Sequence, residues 1–175
     1  SILARSGAAE TPAGAGTVYQ QTGDQYQAGQ TGTLIVDNGG NVTNQTRKNT
    51  LMPNGVDLAD FAEVIVRNGG ILAVDADNPL DWENLNLTGD GSGTSRLFIK
   101  SDDQITYPTT LTVNGYTLEI DDASLKTLAN LVVGSDGAVE ATDAIQELAL
   151  TLTGDLTVQA GGTIAMNGGG PLGQP

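Results

Sequence analysis

One short outline recurs five times along the chain. Residues 34–42 read LIVDNGGNV, 64–72 VIVRNGGIL, 131–139 LVVGSDGAV and 156–164 LTVQAGGTI; residues 111–118, LTVNGYTL, give the same outline one residue shorter. In each, alternating apolar residues run into two or three turn residues, and a second short apolar run follows. Alternation at period two is the mark of a strand. Gly70, Gly137 and Gly162 stand at equivalent places in the turn, where glycine permits positive φ at a sharp corner. Strand, Gly-rich turn, strand fits either an antiparallel hairpin or one corner of a wound coil.

A longer self-match favours the coil. Residues 58–74 align with 125–141, 67 positions later, so that Leu58 meets Leu125, Phe61 meets Leu128, Val64 meets Leu131, Val66 meets Val133 and Gly70 meets Gly137. Further on, LNLTGD (85–90) matches LTLTGD (150–155) in the same order. Ordered repetition is the signature of stacked architectures, in which each repeat buries its face against the next. Other strand candidates at 96–100, 110–113, 117–120 and 145–152 are equally short. Residues 58–63 and 124–130 carry apolar side chains at i and i+3, enough for one helical turn each; in a coil, Leu58, Phe61 and Val64 are inward residues of a bent arc. The sequence therefore predicts an all-β chain, a right-handed parallel β-helix, with an antiparallel β-sandwich as the alternative. Residues 1–16 read as a flexible or contact segment, 17–167 as one solenoid domain, and 168–175 as a Gly/Pro-rich tail.

Composition agrees and narrows the function. Of 175 residues, 38% are hydrophobic but only 4% aromatic, so the core must be aliphatic, and 24 glycines call for many tight turns. The net charge of −14 repels phosphate backbones and anionic lipid, which argues against a nucleic-acid partner, while it attracts cations. No apolar run approaches the ~18 residues of a membrane-spanning helix. With no cysteine, burial must hold the fold together. With no histidine, the commonest general base and metal ligand is missing. The opening residues lack a signal-peptide layout, so the chain reads as a mature or excised piece of something larger.

Parallel β-helices host polysaccharide hydrolases and lyases, so each was sought. A pectinase-type hydrolase would show NTD, DD, GHG and RIK in order; the chain has Asp102-Asp103 but no histidine, and RLFIK (96–100) precedes that pair. A lyase base would come from Arg5, Arg47, Lys48, Arg67, Arg96, Lys100 or Lys126, none with a carboxylate cluster at a recognisable spacing. No catalytic or cofactor-binding residue is assigned. Asp75, Asp77, Asn78 and Asp81 could offer oxygens to calcium, but the glycine and closing glutamate of an EF-hand are absent, and a polar turn explains them as well. GDGSG (89–93) reads the same way. Asn41, Asn44 and Asn86 head N-x-T sequons. Trp82, Tyr107 and Tyr116 could form a sugar-binding platform or a packed cap.

GAGTVY (14–19), GTLIVDNGGN (32–41) and GDLTVQAGGTIAMNGGG (154–170) resemble the Gly-rich β-helical repeat regions of very large bacterial or archaeal surface proteins. There, such strand pairs run into a Gly-rich stretch and a GAGT-type segment restarts the pattern. The match is scattered and lapses between residues 43 and 57. The resemblance implies an extracellular structural or adhesive role and supplies no catalytic residues. The expectation is a non-enzymatic extracellular or cell-surface module, an adhesin segment or a filament subunit. Its partners would be copies of itself, joined head to tail, or adjoining repeats. In that contact the N-terminal segment would cover the open C-terminal end of the next subunit. A carbohydrate-active enzyme or carbohydrate-binding module on the same fold is the alternative.

Overall fold

Runs of alternating apolar residues fold as strands of two to five residues, and the turns between them lead the chain around an axis rather than back on itself. The computed structural model describes residues 16–24, 31–40, 49–101, 103–122, 126–142, 148 and 150–166. The chain opens with β1 (Gly16–Gln20), β2 (Thr33–Asp37), β3 (Thr50–Leu51) and a 3-10 turn (Leu58–Asp60). Three-stranded coils follow. They are β4 (Glu63–Arg67), β5 (Ile71–Val74) and β6 (Leu80–Asp81); β7 (Leu87–Gly89), β8 (Arg96–Ile99) and β9 (Ile105–Thr106); β10 (Thr110–Val113), β11 (Thr117–Ile120) and β12 (Lys126–Leu128); and β13 (Asn130–Val133), β14 (Ala138–Ala141) and β15 (Leu150–Leu152). β16 (Leu156–Val158) and β17 (Thr163–Met166) begin one more coil. The result is a parallel β-solenoid of about four turns, not a sandwich.

Three faces run the length of the stack. The first carries β2, β4 and β7, then β10, β13 and β16; the second is a six-stranded parallel sheet of β3, β5, β8, β11, β14 and β17; the third holds the short pairs β6–β9 and β12–β15. The register is strict. Ile71 pairs with Arg96, Arg96 with Thr117 and Thr117 with Ala138, so the 67-residue self-match is three steps of the stack. The second half of that match has a different fate. Residues 87–89 pair with β4 on the first face, whereas 150–152 pair with β12 on the third. The LTGD likeness is therefore not structural equivalence.

Register turns alternation into columns. On the second face Leu72, Leu97, Leu118 and Val139 stack, and beside them Val74, Ile99, Ile120 and Ala141. On the first face Leu34 and Val36 lie on Val64 and Val66, and Leu111 and Val113 on Leu131 and Val133. All of these side chains are buried. Each Leu, Val or Ile among them is worth about 1.5–3 kcal/mol by burial alone. Leu58 is buried and begins a 3-10 turn capped by Asp57, whose carboxylate accepts from the Ala59 N–H at 2.9 Å. The i, i+3 spacing thus marks an arc, as the coil requires. Residues 123–125 of the equivalent arc lie outside the described residues.

The corner glycines have a different cause from positive φ. None of the three is itself left-handed; Gly69 (φ 77°) and Gly161 (φ 97°), before two of them, are, and Asp136 before Gly137 is not. Gly70, Gly137 and Gly162 are needed because a carbonyl of the preceding coil presses against them. An added Cβ would sit 2.6 Å from Val36 O, 2.1 Å from Val113 O and 2.7 Å from Gly134 O respectively. Each closes its turn by the same N–H bond to the carbonyl three residues back: Arg67, Gly134 or Gln159.

Val133→Asp is expected to cost more than about 3 kcal/mol, because the charge enters a closed aliphatic column with no partner. Val158 pairs with Val133 but is 45% exposed on the last described rung. Val158→Asp should cost about 1 kcal/mol or less in dilute monomer. Urea melts of both variants check the difference.

Candidate functional site

Polar side chains gather at the corner between the first and second faces, where the phrase repeats. Asp37 ends β2 and is buried. Its Oδ2 accepts from Arg67 Nε at 2.9 Å, and its Oδ1 from Asn68 Nδ2 at 2.9 Å and the Gly39 N–H at 2.7 Å. Burial raises this carboxyl, but the three donors and the guanidinium charge outweigh it and hold the group below its usual range. One coil on, Asp90 Oδ2 accepts from the Asn68 N–H at 2.6 Å. Its Oδ1 accepts from the Ser92 N–H, Ser92 Oγ and Ser95 Oγ at 3.1, 2.7 and 2.9 Å. The Asp90 bond pins Asn68 in a left-handed conformation at φ 53°, one that asparagine tolerates better than most residues. Thus GDGSG is a capped corner loop.

The short copy of the phrase shapes the surface. Residues 114–116 join β10 to β11, against six residues (90–95) at the corner before and four (134–137) at the corner after. Between the longer corners lies a recess of about 300 Å³, with Ser92 on one wall, Ser135 and Asp136 on the other, and Thr117, Glu140 and Thr163 along the second face. Glu140 sits in register beside Glu119, an arrangement of like charges that alone destabilises a sheet. Arg96 resolves it, with Nη1 3.0 Å from Glu119 and 2.7 Å from Glu140. Burial disfavours its charged form, yet the two carboxylates prevail and raise its pKa. The recess offers hydroxyls and carboxylates; no ring and no basic side chain lines it.

The candidates read from sequence are dispersed. Asp75 pairs with Lys100 and accepts from the Ala76 N–H, Asp77 accepts from Asn54, and Asp81 accepts from Asn84. Asn78 is buried and donates to Pro53 O at 2.9 Å. These oxygens serve turns with separate partners, and no group of three or more potential ligands gathers among the described residues. Trp82 and Tyr116 are buried, and Trp82 stacks on Tyr107 at 5.7 Å. The three form a packed cluster, not a surface platform. Burial pushes the Tyr116 hydroxyl well up despite a hydrogen bond from Trp82. Arg67, Arg96 and Lys100 are all in ion pairs. Asp103 is exposed and takes a bond from Ser101. Asn86 is exposed and donates to Ala62 O at 3.1 Å. Arg5, Asn41, Asn44, Arg47, Lys48 and Asp102 lie outside the described residues, as does the Lys126 side chain.

The ends of the stack are the feature that sequence reasoning located but could not resolve. β1 runs antiparallel to β2, the one antiparallel pair among the described strands. Tyr19 of β1 meets Phe61 edge-on at 6.0 Å, and its hydroxyl accepts from the Gly32 N–H at 2.9 Å. So GTVYQQ already covers its own chain's first rung. At the other end nothing comparable lies over β16 and β17 among the described residues. Leu156, Val158 and Ile164 are 52%, 45% and 40% exposed, although their partners Leu131, Val133 and Val139 are at most 1% exposed. No helix among the described residues is long and apolar enough to cross a membrane.

The lowered pKa of Asp90 sets a pH dependence. Burial raises it, but the serine hydroxyls and backbone N–H groups prevail, so the folded chain prefers the carboxylate. Its stabilisation is complete above the unfolded value of 3.8 and is lost as pH falls through the lower folded value. Asp90→Asn should lower stability at pH 7 by on the order of 1–2 kcal/mol. It should also flatten the loss below about pH 4, as read by thermal melts from pH 5 down to pH 2. No family model, curated protein or solved structure matches this chain.

Proposed function

We propose that the chain is a non-enzymatic structural module of an extracellular or cell-surface protein, a β-solenoid extended end to end by further β-rungs. One observation carries this reading. The large hydrophobic side chains that stay exposed among the described residues are Tyr19, Leu51, Leu156, Val158 and Ile164, and every one lies on a strand at the first or last rung. The lateral faces expose none. An apolar surface confined to two opposite ends, on an otherwise acidic body, fits stacking along the axis and keeps the sides soluble. Strands with no further neighbour among the described residues stand at both ends, and a strand edge templates another strand.

The rival carbohydrate-binding reading would have to use the recess beside Ser92 and Asp136. That recess lacks a stacking ring, because Trp82 and Tyr116 are committed to the core. An adhesin segment and a filament subunit share the same end-to-end contact and differ in whether the neighbour is an adjoining repeat or another copy.

Sedimentation velocity and electron microscopy of the purified chain test this. Linear oligomers should grow with concentration. Changing Leu156, Val158 and Ile164 together to lysine should abolish them while leaving the β-type circular dichroism spectrum intact. A parent chain that stays monomeric at the highest soluble concentration contradicts the reading.

A further inference from the structure

We infer that the joint between two copies is made by β1 acting as a two-sided strand, with its inner edge on β2 of its own chain and its outer edge on β16 of the preceding copy. This rests on the end-to-end reading and adds which strands meet and in what direction. β1 stands first in the order β1-β2-β4-β7, and β16 last in the order β10-β13-β16. Among the described strands, both therefore have a free edge on the first face. Every first-face strand from β4 onward leads through a corner into a second-face strand, and the second-face strands are all parallel. A copy stacked on the same axis thus brings β16 in running the same way as β2. β1, antiparallel to β2, is then antiparallel to the arriving β16 as well, which is the more stable pairing per residue.

Side-chain position agrees. In the β1–β2 register Thr17 lies opposite Val36 and Tyr19 opposite Leu34. Residues opposite each other point to the same side, so Thr17 and Tyr19 continue the inward columns of Val36 and Leu34. Both are exposed, Tyr19 at 49%. On β16 the inward positions are Leu156 and Val158, likewise two residues apart and likewise exposed. The contact covers Tyr19, Leu156 and Val158 with one another, while the second-face edges β17 and β3 stay two strand spacings, about 9.6 Å, apart.

Charge selects head to tail. Residues 1–50 carry three basic and three acidic side chains, so the whole net charge of −14 resides on residues 51–175. Tail against tail brings together two segments of net acidic charge, whereas head against tail joins an acidic segment to one whose formal charges cancel. A head-to-head pairing of two β1 strands escapes that repulsion but leaves Leu156, Val158 and Ile164 in water. The head-to-tail contact is heterologous and does not close, so it propagates.

The absence of native cysteine permits a direct test. Chains carrying Thr17→Cys alone are mixed with chains carrying Leu156→Cys or Val158→Cys alone, oxidised mildly and run on non-reducing gels. Opposed inward Cβ atoms in an antiparallel pair come close enough for a disulfide. The expected product is the mixed dimer, with loss of both monomer bands. Thr157→Cys, pointing outward, should not couple to Thr17→Cys. A 17–17 dimer as the main product overturns the inference in favour of head-to-head pairing. Linear oligomers without any 17–156 or 17–158 bond overturn the role of β1 and leave the end-to-end reading standing. Absence of oligomers in the parent chain removes both. So does a monomer whose Leu156→Cys thiol becomes reactive only when residues 167–175 are deleted, since that places the chain's own tail over the last rung.

Discussion

At the corner between the first and second faces in three of the coils, a carbonyl of the preceding coil comes so near the backbone that a single carbon atom would collide with it. Gly70, Gly137 and Gly162 occupy that place. The close approach follows from parallel hydrogen bonding between coils, whose strands lie about 4.8 Å apart. Where the corner turns sharply, the spacing leaves no room for Cβ. The rest of the molecule follows from keeping it. Coils that stack in register must place like side chains over like, which makes the interior a set of aliphatic columns. It also explains the shortage of rings: a narrow coil fills with Leu, Val and Ile, and the Trp82–Tyr107–Tyr116 cluster is the exception.

The same regularity makes the exterior a place where charges align. Glu119 and Glu140 fall side by side because strand register demands it, and Arg96 reaches across from the coil before. Asp37, Asn68 and Asp90 form a second vertical set: Asp37 accepts from the Gly39 N–H and Asn68 Nδ2, and Asp90 accepts from the Asn68 N–H. These polar stacks pin the corners. They also leave the sides polar and acidic, so that among the described residues large exposed apolar groups remain only at the ends.

Much of this could be read before the structure. The phrase around Gly70 and Gly137 marked corners, and the 67-residue match from Leu58 to Leu125 spanned three coils, because stacking imposes the same inward residue at the same place. Other elements were hidden for physical reasons. The corner after β7 holds six residues pinned by Asp90, so it spells no NGG-like phrase. β3, β6 and β9 pair through two residues each, too few to write an alternation. The antiparallel sense of β1 depends on its partner and leaves no local trace. The aromatic residues looked like surface candidates because a ring's burial depends on which coil it faces. The recess was legible only as a missing residue in LTVNGYTL, whose consequence appears once the longer corners on either side are in place.

If each coil is held chiefly by its neighbours, stability must vary along the axis. Native-state hydrogen exchange on the monomeric chain, resolved strand by strand, measures this most directly. Protection should be greatest in β8, β11 and β14, which have a strand on both sides, and should fall at β16 and β17, which have no outer neighbour among the described strands. Equal protection of β17 and β11, with all strands exchanging through one global opening, would contradict a fold built by nearest-neighbour stacking.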